Sequence, residues 1–240
     1  MSYDPTNRWS ASASAADRSV GIDAGLRSYM LRVYNYMAGA LVVTGLVAWF
    51  SQGFVYQLAL QHSPLLYVLI FAPLAFVMVL SFGIQRMSLG ATQATFWGYS
   101  AVMGLSMSTI FLVYTGTSIA EVFFITAATF LAMSLYGYTT KSDLSRFGSF
   151  LFMGLIGIVI ASIVNIFVGS PAILFAISVI GVLVFTGLTA WDTQRIKEMY
   201  WEGDSAVIAG KKAIMGALSL YLDFVNLFMM LLQLMGNRRN

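Results

Sequence analysis

From Val33 onward, long apolar runs alternate with short polar breaks. The first run, Val33 to Phe50, is followed by six more at about 65–85, 92–114, 119–138, 148–168, 172–191 and 213–235. Set against the roughly 20 residues that cross a bilayer as a helix, this pattern predicts an all-α membrane protein with seven transmembrane segments over residues 27–240. Residues 1–26 read differently. They are polar, with a Ser/Ala tract from Ser10 to Ala16 and scattered charges, and predict a disordered tail. The Ala11-Ser12-Ala13 triplet precedes the apolar region instead of following it, which is the wrong order for a cleaved signal peptide. Pro64 and Pro171 mark the starts of the second and sixth spans, and Pro73 falls inside the second, where a missing amide donor should kink the helix.

The last run departs from the others. Asp223 lies about ten residues from Ala213, deep in a membrane-length helix at roughly 1.5 Å of rise per residue. An acid at that depth costs about 2.5–3.5 kcal/mol on insertion scales, so it needs compensation or a role. At three- and four-residue steps Gly216, Ser219, Asp223, Asn226 and Gln233 share one side, while Leu218, Leu222, Val225, Met229 and Leu232 cover much of the rest. A helix with such a stripe fits the inside of a bundle better than its lipid-facing rim.

Composition agrees with the pattern: 59% of residues are hydrophobic and 10% charged, with a mean hydropathy of +0.80, more apolar surface than a soluble core of 240 residues could hide. A net charge of +3 would point to nucleic acid in a soluble chain, but here the basic residues are confined to alternate loops. Arg8, Arg18, Arg27 and Arg32, then Arg86, then Lys141 and Arg146, then Arg195, Lys197, Lys211 and Lys212 fall on one side, and the loops after spans one, three and five hold no Lys or Arg. That bias sets the N-terminus in the cytoplasm and leaves no nucleic-acid patch. Arg238 and Arg239 break the rule if the seventh segment crosses. A re-entrant seventh segment surrounded by protein would satisfy every charge, and the sequence leaves both arrangements open. The polar loop Thr193 to Lys212, with Tyr200 and Trp201 between charges, suits a cytoplasmic end at the lipid interface.

Candidate chemistry is narrow. No cysteine and a single His62 exclude disulfides, thiolate catalysis and a histidine metal cluster. Asp192, closing the sixth span, and Asp223 are the strongest pair. Two carboxyls meeting in a low-dielectric bundle cannot both ionise cheaply; they share a proton and titrate as one unit. The plainer readings are an interfacial acid at Asp192 and a buried acid hydrogen-bonded to Ser or Asn neighbours at Asp223. On straight helices Asp192 lies near the surface and Asp223 near mid-depth, so they meet only if span six continues past Ala190 or the seventh helix starts deep. Arg86 ends the second span level with Asp192 and can pair with it, or act simply as a positive-inside flank. His62 and Glu121 lie in outer loops. Asn165, Ser106, Ser108 and Thr109 offer helix-to-helix hydrogen bonds or a polar path. The fourteen methionines read as apolar filling, and Gly154 and Gly157 permit close helix approach.

Trp191-Asp192-Thr193-Gln194-Arg195-Ile196-Lys197, followed by Ala217-Leu218-Ser219-Leu220-Tyr221-Leu222-Asp223-Phe224-Val225-Asn226-Leu227-Phe228, closely resembles the C-terminal signature of the Bax inhibitor-1 (transmembrane Bax inhibitor motif) family, bacterial branch. The resemblance covers the chain from about Arg27. It implies six helices around a central seventh, a pH-sensitive calcium leak through the bundle, the paired aspartates at Asp192 and Asp223, and a latching arginine at Arg86. Some relatives carry a further acid within the second span; this chain has none there, which weakens any calcium site built on it.

Three functions compete on these grounds. The first is a cation leak channel of the bacterial inner membrane, with Ca²⁺ as permeant ion and no cofactor. Protonation of Asp192 and Asp223 gates it, Arg86 latches it, and Ser219, Asn226, Gln233 and Asn165 line its path. Asp192 and Asp223 would also hold Ca²⁺ transiently. The second is an intramembrane aspartyl protease in which the two acids activate water, although no glycine stands immediately before Asp223. The third is a regulatory protein, not an enzyme, that docks on a membrane protease or stress complex through its basic loop and tail.

Overall fold

The computed structural model describes the backbone of residues 6–239 and the side chains of residues 24–239. The tail expected over residues 1–26 therefore lies, but for Ala24, Gly25 and Leu26, outside the residues whose side chains are described. Eight helices follow in order: α1 (Thr6–Leu60), α2 (Pro64–Gly83), α3 (Leu89–Met107), α4 (Ile110–Val113), α5 (Gly116–Thr139), α6 (Ser145–Val168), α7 (Pro171–Glu198) and α8 (Ala206–Met235). Among the described residues seven stretches are long and apolar enough to span a membrane: Ala24–Leu60 within α1, Leu89–Val113 across α3 and α4, and α2, α5, α6, α7 and α8.

Local chemistry sets most of the boundaries. Ser63, Ser88, Thr115, Ser170 and Ser205 each sit in extended backbone and accept a hydrogen bond from an amide of the first turn of α2, α3, α5, α7 and α8 respectively, contacts worth about 1 kcal/mol apiece. Pro64 and Pro171 occupy first-turn positions where no donor is needed. The α6 helix ends at Gly169, whose φ of 66° is open to glycine at little cost. The third span, expected to run unbroken, divides at Ser108 and Thr109. Their hydroxyls donate to the carbonyls of Leu105 and Ser106, three residues back, in competition with the helical ladder. Ser106 alone of the three reaches another helix, at the carbonyl of Ile70.

The expectation of a central last helix holds. Of the membrane-length window of α8, 61% is buried, against 11% for α2 and for α6. The α8 helix packs directly on α1, α3, α5 and α7, while α2 joins the bundle chiefly through α3 and α6 through α7. Tyr221 stacks edge-on against Tyr99 at 5.4 Å and shares a 2.7 Å hydrogen bond with Thr44, which also donates to the carbonyl of Ser100; α1, α3 and α8 are tied there. Phe224 packs between Phe123 and Phe130 of α5.

The α8 helix is one unbroken run that crosses the bundle. Beyond it, Asn237 and Arg239 pair with the turn before α5: the amide of Thr115 donates to the Asn237 carbonyl, and the amide of Arg239 to the Val113 carbonyl. The Arg239 guanidinium donates to the carbonyl of Phe111 at 3.0 Å. Arg239 thus serves the free carbonyls at the end of α4, a local reason for a cation at the end of the bundle where the charge pattern expected none.

The polar loop expected from Thr193 to Lys212 is much shorter, because α7 runs on to Glu198 and α8 begins at Ala206. Partners on other elements hold the extra turns. Gln194 accepts from the amide of Leu144 and donates to the carbonyl of Ser142, both at 2.8 Å. Thr193 shares a hydrogen bond with Ser134, which shares one with Tyr34. Lys197 caps the carbonyl of Tyr138 at 2.9 Å, and Lys212 binds both the Met199 carbonyl and Asp204.

Candidate functional site

The extension of α7 brings Asp192 within the bundle, since its last turns stay helical and pack on α5 and α8. Two close approaches fix the rotation of the helix there. Gly148 of α6 lies directly against the indole of Trp191, and Gly137 of α5 against the carbonyl of Ala190, so near that a β-carbon at either position would overlap them. Gly154 meets Val184, whereas Gly157 faces open space.

Antiparallel register does the rest. Gly216 lies against Ile196, and Ser178 donates to Gln233 at 2.8 Å. Asp192 is therefore level with Ser219, about one turn from Asp223. Side chains tilt toward the N-terminus of their own helix. In this antiparallel pair Asp192 leans toward the level of Asp223, and Asp223 leans back toward Asp192. The two carboxyls come within hydrogen-bonding reach of each other.

Asp223 is 5% exposed, and its Oδ2 finds no N–H or O–H donor among the described residues. Two carboxyl groups can bond to each other only through a proton. Both acids border a cavity of about 450 Å³, walled by Phe152 and Leu155 of α6 and by Trp191 of α7, with Ser219 and Asn226 on the α8 side. At its rim Arg195, one turn beyond Asp192, sets its guanidinium 3.9 Å from the Asp192 carboxylate and over the Trp191 ring, 5.2 Å from its centre.

The structure thus brings together Asp192, Asp223, Ser219 and Asn226. It does not bring Arg86 to them. Arg86 stands exposed in the turn after α2, a helix that packs chiefly on α3, and among the described residues it forms no ion pair; the cation beside Asp192 is Arg195. Gln233 lies further along α8, engaged with Ser178. Asn165 is no part of the cavity lining: its Oδ1 accepts from the amide of Ser170 and closes the turn between α6 and α7. The Asn226 amide donates to the Leu222 carbonyl of its own helix, and its oxygen has no donor among the described residues. As for calcium, the cavity offers two carboxylates. Among the described residues no three His, Cys, Asp or Glu side chains gather as a metal cage.

Sequence reasoning missed Arg195 and Trp191 as site residues. Their signal was the spacing of one and three positions around Asp192, which has meaning only once α7 is known to stay helical there.

A polytopic helical membrane protein with paired acids beside its central helix is the class these observations define. The chain belongs to the family described as Inhibitor of apoptosis-promoting Bax1, whose profile matches residues 26–240. It is 51% identical over 228 residues to the inner membrane protein YbhL of Escherichia coli K12, covering 93% of this chain and 97% of YbhL. It is 50% identical over 220 residues to protein RP147 of Rickettsia prowazekii, covering 91% and 93%. It is 37% identical over 215 residues to protein YrjE of Lactococcus lactis, covering 88% and 92%.

Proposed function

We propose that this protein is a pH-sensitive cation leak pathway of the bacterial inner membrane, with calcium as the permeant ion, controlled by the proton occupancy of Asp192 and Asp223. The observation that carries the reading is the meeting of these two carboxyls, from neighbouring helices, at a cavity beside the central α8 helix. The location follows that of YbhL, an inner membrane protein by name. The gathering of Arg27, Arg32, Arg86, Arg195, Lys197 and Lys212 at one end of the bundle supports a cytoplasmic N-terminus.

With one proton between them the carboxyls form a charge-assisted hydrogen bond that ties α7 to α8, and Arg195 balances the remaining negative charge. A second proton turns that bond into an ordinary neutral one and frees Arg195. The α7–α8 contact loosens, and acid favours the conducting form. The half-buried stripe of Ser219, Asn226 and Gln233 then offers oxygen ligands to a hard cation. Arg195 takes the place expected of Arg86, with one difference: it shares a helix with Asp192, so it tunes the pair and cannot itself latch two helices together.

The test is calcium flux into liposomes carrying the purified protein, measured across a pH series. Flux that rises as pH falls, with the rise lowered and moved to more acid pH in Asp192→Asn and Asp223→Asn, supports the reading. A pH response unchanged in both variants overturns it. Cleavage of membrane-anchored peptides that depends on both aspartates would favour the hydrolytic chemistry open to any such pair.

A further inference from the structure

Away from the acid pair, two grooves flank α1 at the end of the bundle where α7 gives way to α8, as the packing of Tyr29 on Tyr200 locates it. The first, between α1 and α3, encloses about 670 Å³ and is lined by Arg27, Ser28, Arg32, Asn35, Tyr36 and Trp97. The second, between α1 and α5, encloses about 510 Å³; it starts at Arg27 and Tyr138 and continues inward past Met30, Leu131 and Leu135 to Tyr34. Arg27 and Leu31 border both.

The chemistry of the two differs. The first groove presents two guanidiniums, a hydroxyl and a carboxamide, with an indole at its edge, the residue types that sit at the headgroup level of a bilayer. The second has one cation at its mouth and an apolar interior. From Arg27 to Tyr34 it runs about 10 Å along the helix axis at 1.5 Å per residue, enough for the upper half of an acyl chain.

The basic side chains nearby are differently placed. Arg195 faces Asp192, Lys197 and Lys211 cap the carbonyls of Tyr138 and Ile84, and Lys212 is held by Asp204 and Met199. Arg27 and Arg32 are exposed, and among the described residues neither forms an ion pair or a hydrogen bond. Two exposed guanidiniums, without an ion-pair partner among the described residues, beside a chain-wide apolar groove complement a molecule with an anionic head and a hydrocarbon tail. We propose that α1 binds one anionic phospholipid here, its phosphate between Arg27 and Arg32 with Ser28 and Asn35 as further donors, and one acyl chain in the groove between α1 and α5. Guanidinium forks suit phosphate oxygens, and basic pockets between transmembrane helices are suited to anionic headgroups.

The full chain, purified in a neutral detergent, is titrated with phosphatidylglycerol and, separately, with phosphatidylcholine of the same chains, and bound lipid is counted by native mass spectrometry. One phosphatidylglycerol should bind in preference to phosphatidylcholine. Arg27→Gln with Arg32→Gln should weaken phosphatidylglycerol roughly thirtyfold, from the contribution of two basic residues at a membrane surface, and remove the preference. Arg86→Gln, which also removes an exposed arginine at this end, should retain it. Equal binding of the two lipids by the unaltered protein, survival of the preference in the Arg27/Arg32 variant, or its loss in Arg86→Gln would each overturn the site. Inorganic phosphate that competes as well as the lipid, or dihexanoyl phosphatidylglycerol that binds as tightly as the long-chain form, would overturn the lipid as occupant.

Discussion

Asparagine matches a protonated aspartic acid in shape and donates a hydrogen bond at neutral pH without a titrating proton. In either single variant, Asp192→Asn or Asp223→Asn, the new amide can donate to the remaining carboxylate, and the α7–α8 bond stays charge-assisted. In the double variant both groups are neutral, as in the doubly protonated pair. A hydrogen bond to a charged group contributes about 1.5–3 kcal/mol and a neutral one about 0.5–1.5 kcal/mol. The step between them, about 1–1.5 kcal/mol, corresponds to roughly a tenfold change in the ratio of open to closed protein. The single variants should therefore show calcium flux about tenfold below the unaltered protein at acid pH, with any rise moved to more acid conditions. The double variant should conduct at the acid-state level at every pH. Liposome flux with an encapsulated calcium dye reads all four proteins, and size-exclusion profiles establish that each is folded. A double variant that keeps the pH profile of the unaltered protein would refute the shared-proton scheme, as would single variants indistinguishable from it.

Arg195 favours the ionised form of the carboxyl 3.9 Å away; Arg195→Gln should make the second proton easier to take up and move the flux rise toward neutral pH, while Arg86→Gln should leave the profile in place. The Asp143 carboxylate is held below the ordinary carboxylate pKa range first by the Ser145 hydroxyl and then by the Ser145 amide, which donates to it at the start of α6. A group depressed in the folded state contributes stability that persists until pH falls through the lowered value, so Asp143→Ala should not alter the acid response of flux. Gly137→Ala would drive a β-carbon into the Ala190 carbonyl and should destabilise the α5–α7 contact by about 1–3 kcal/mol, whereas Gly157→Ala, facing open space, should unfold with the unaltered protein; denaturant titration in detergent compares the two.

The seven spans were legible because hydropathy over a membrane-length window reports burial or lipid contact without regard to which, and a proline or a hydroxyl cap announces most starts. The central place of α8 was legible for a related reason: Ser219, Asp223 and Asn226 on one face are expensive in lipid, so the stripe pointed inward. The depth of Asp192 was hidden. Hydropathy falls at Ala190 because Thr193, Gln194 and Lys197 are polar, and a sequence window scores each as though it faced water. In the bundle each is satisfied by a partner 50 to 59 positions away: Ser134 for Thr193, Leu144 and Ser142 for Gln194, and the Tyr138 carbonyl for Lys197. No local pattern encodes those partners, so the helix ran two turns past its apolar signal unseen. The same turns decide the identity of the cation. With span six ending at Trp191, Arg195 is a loop residue and Arg86, at the end of the second span, stands level with Asp192; with α7 helical to Glu198, Arg195 falls one turn from Asp192 on the same face. The polar contacts of α5 and of the turn after it that prolong α7 thus bring the acid into reach of Asp223 and place its counter-ion. Weakening them, for example by Gln194→Ala, acts on the acid pair without touching either carboxyl.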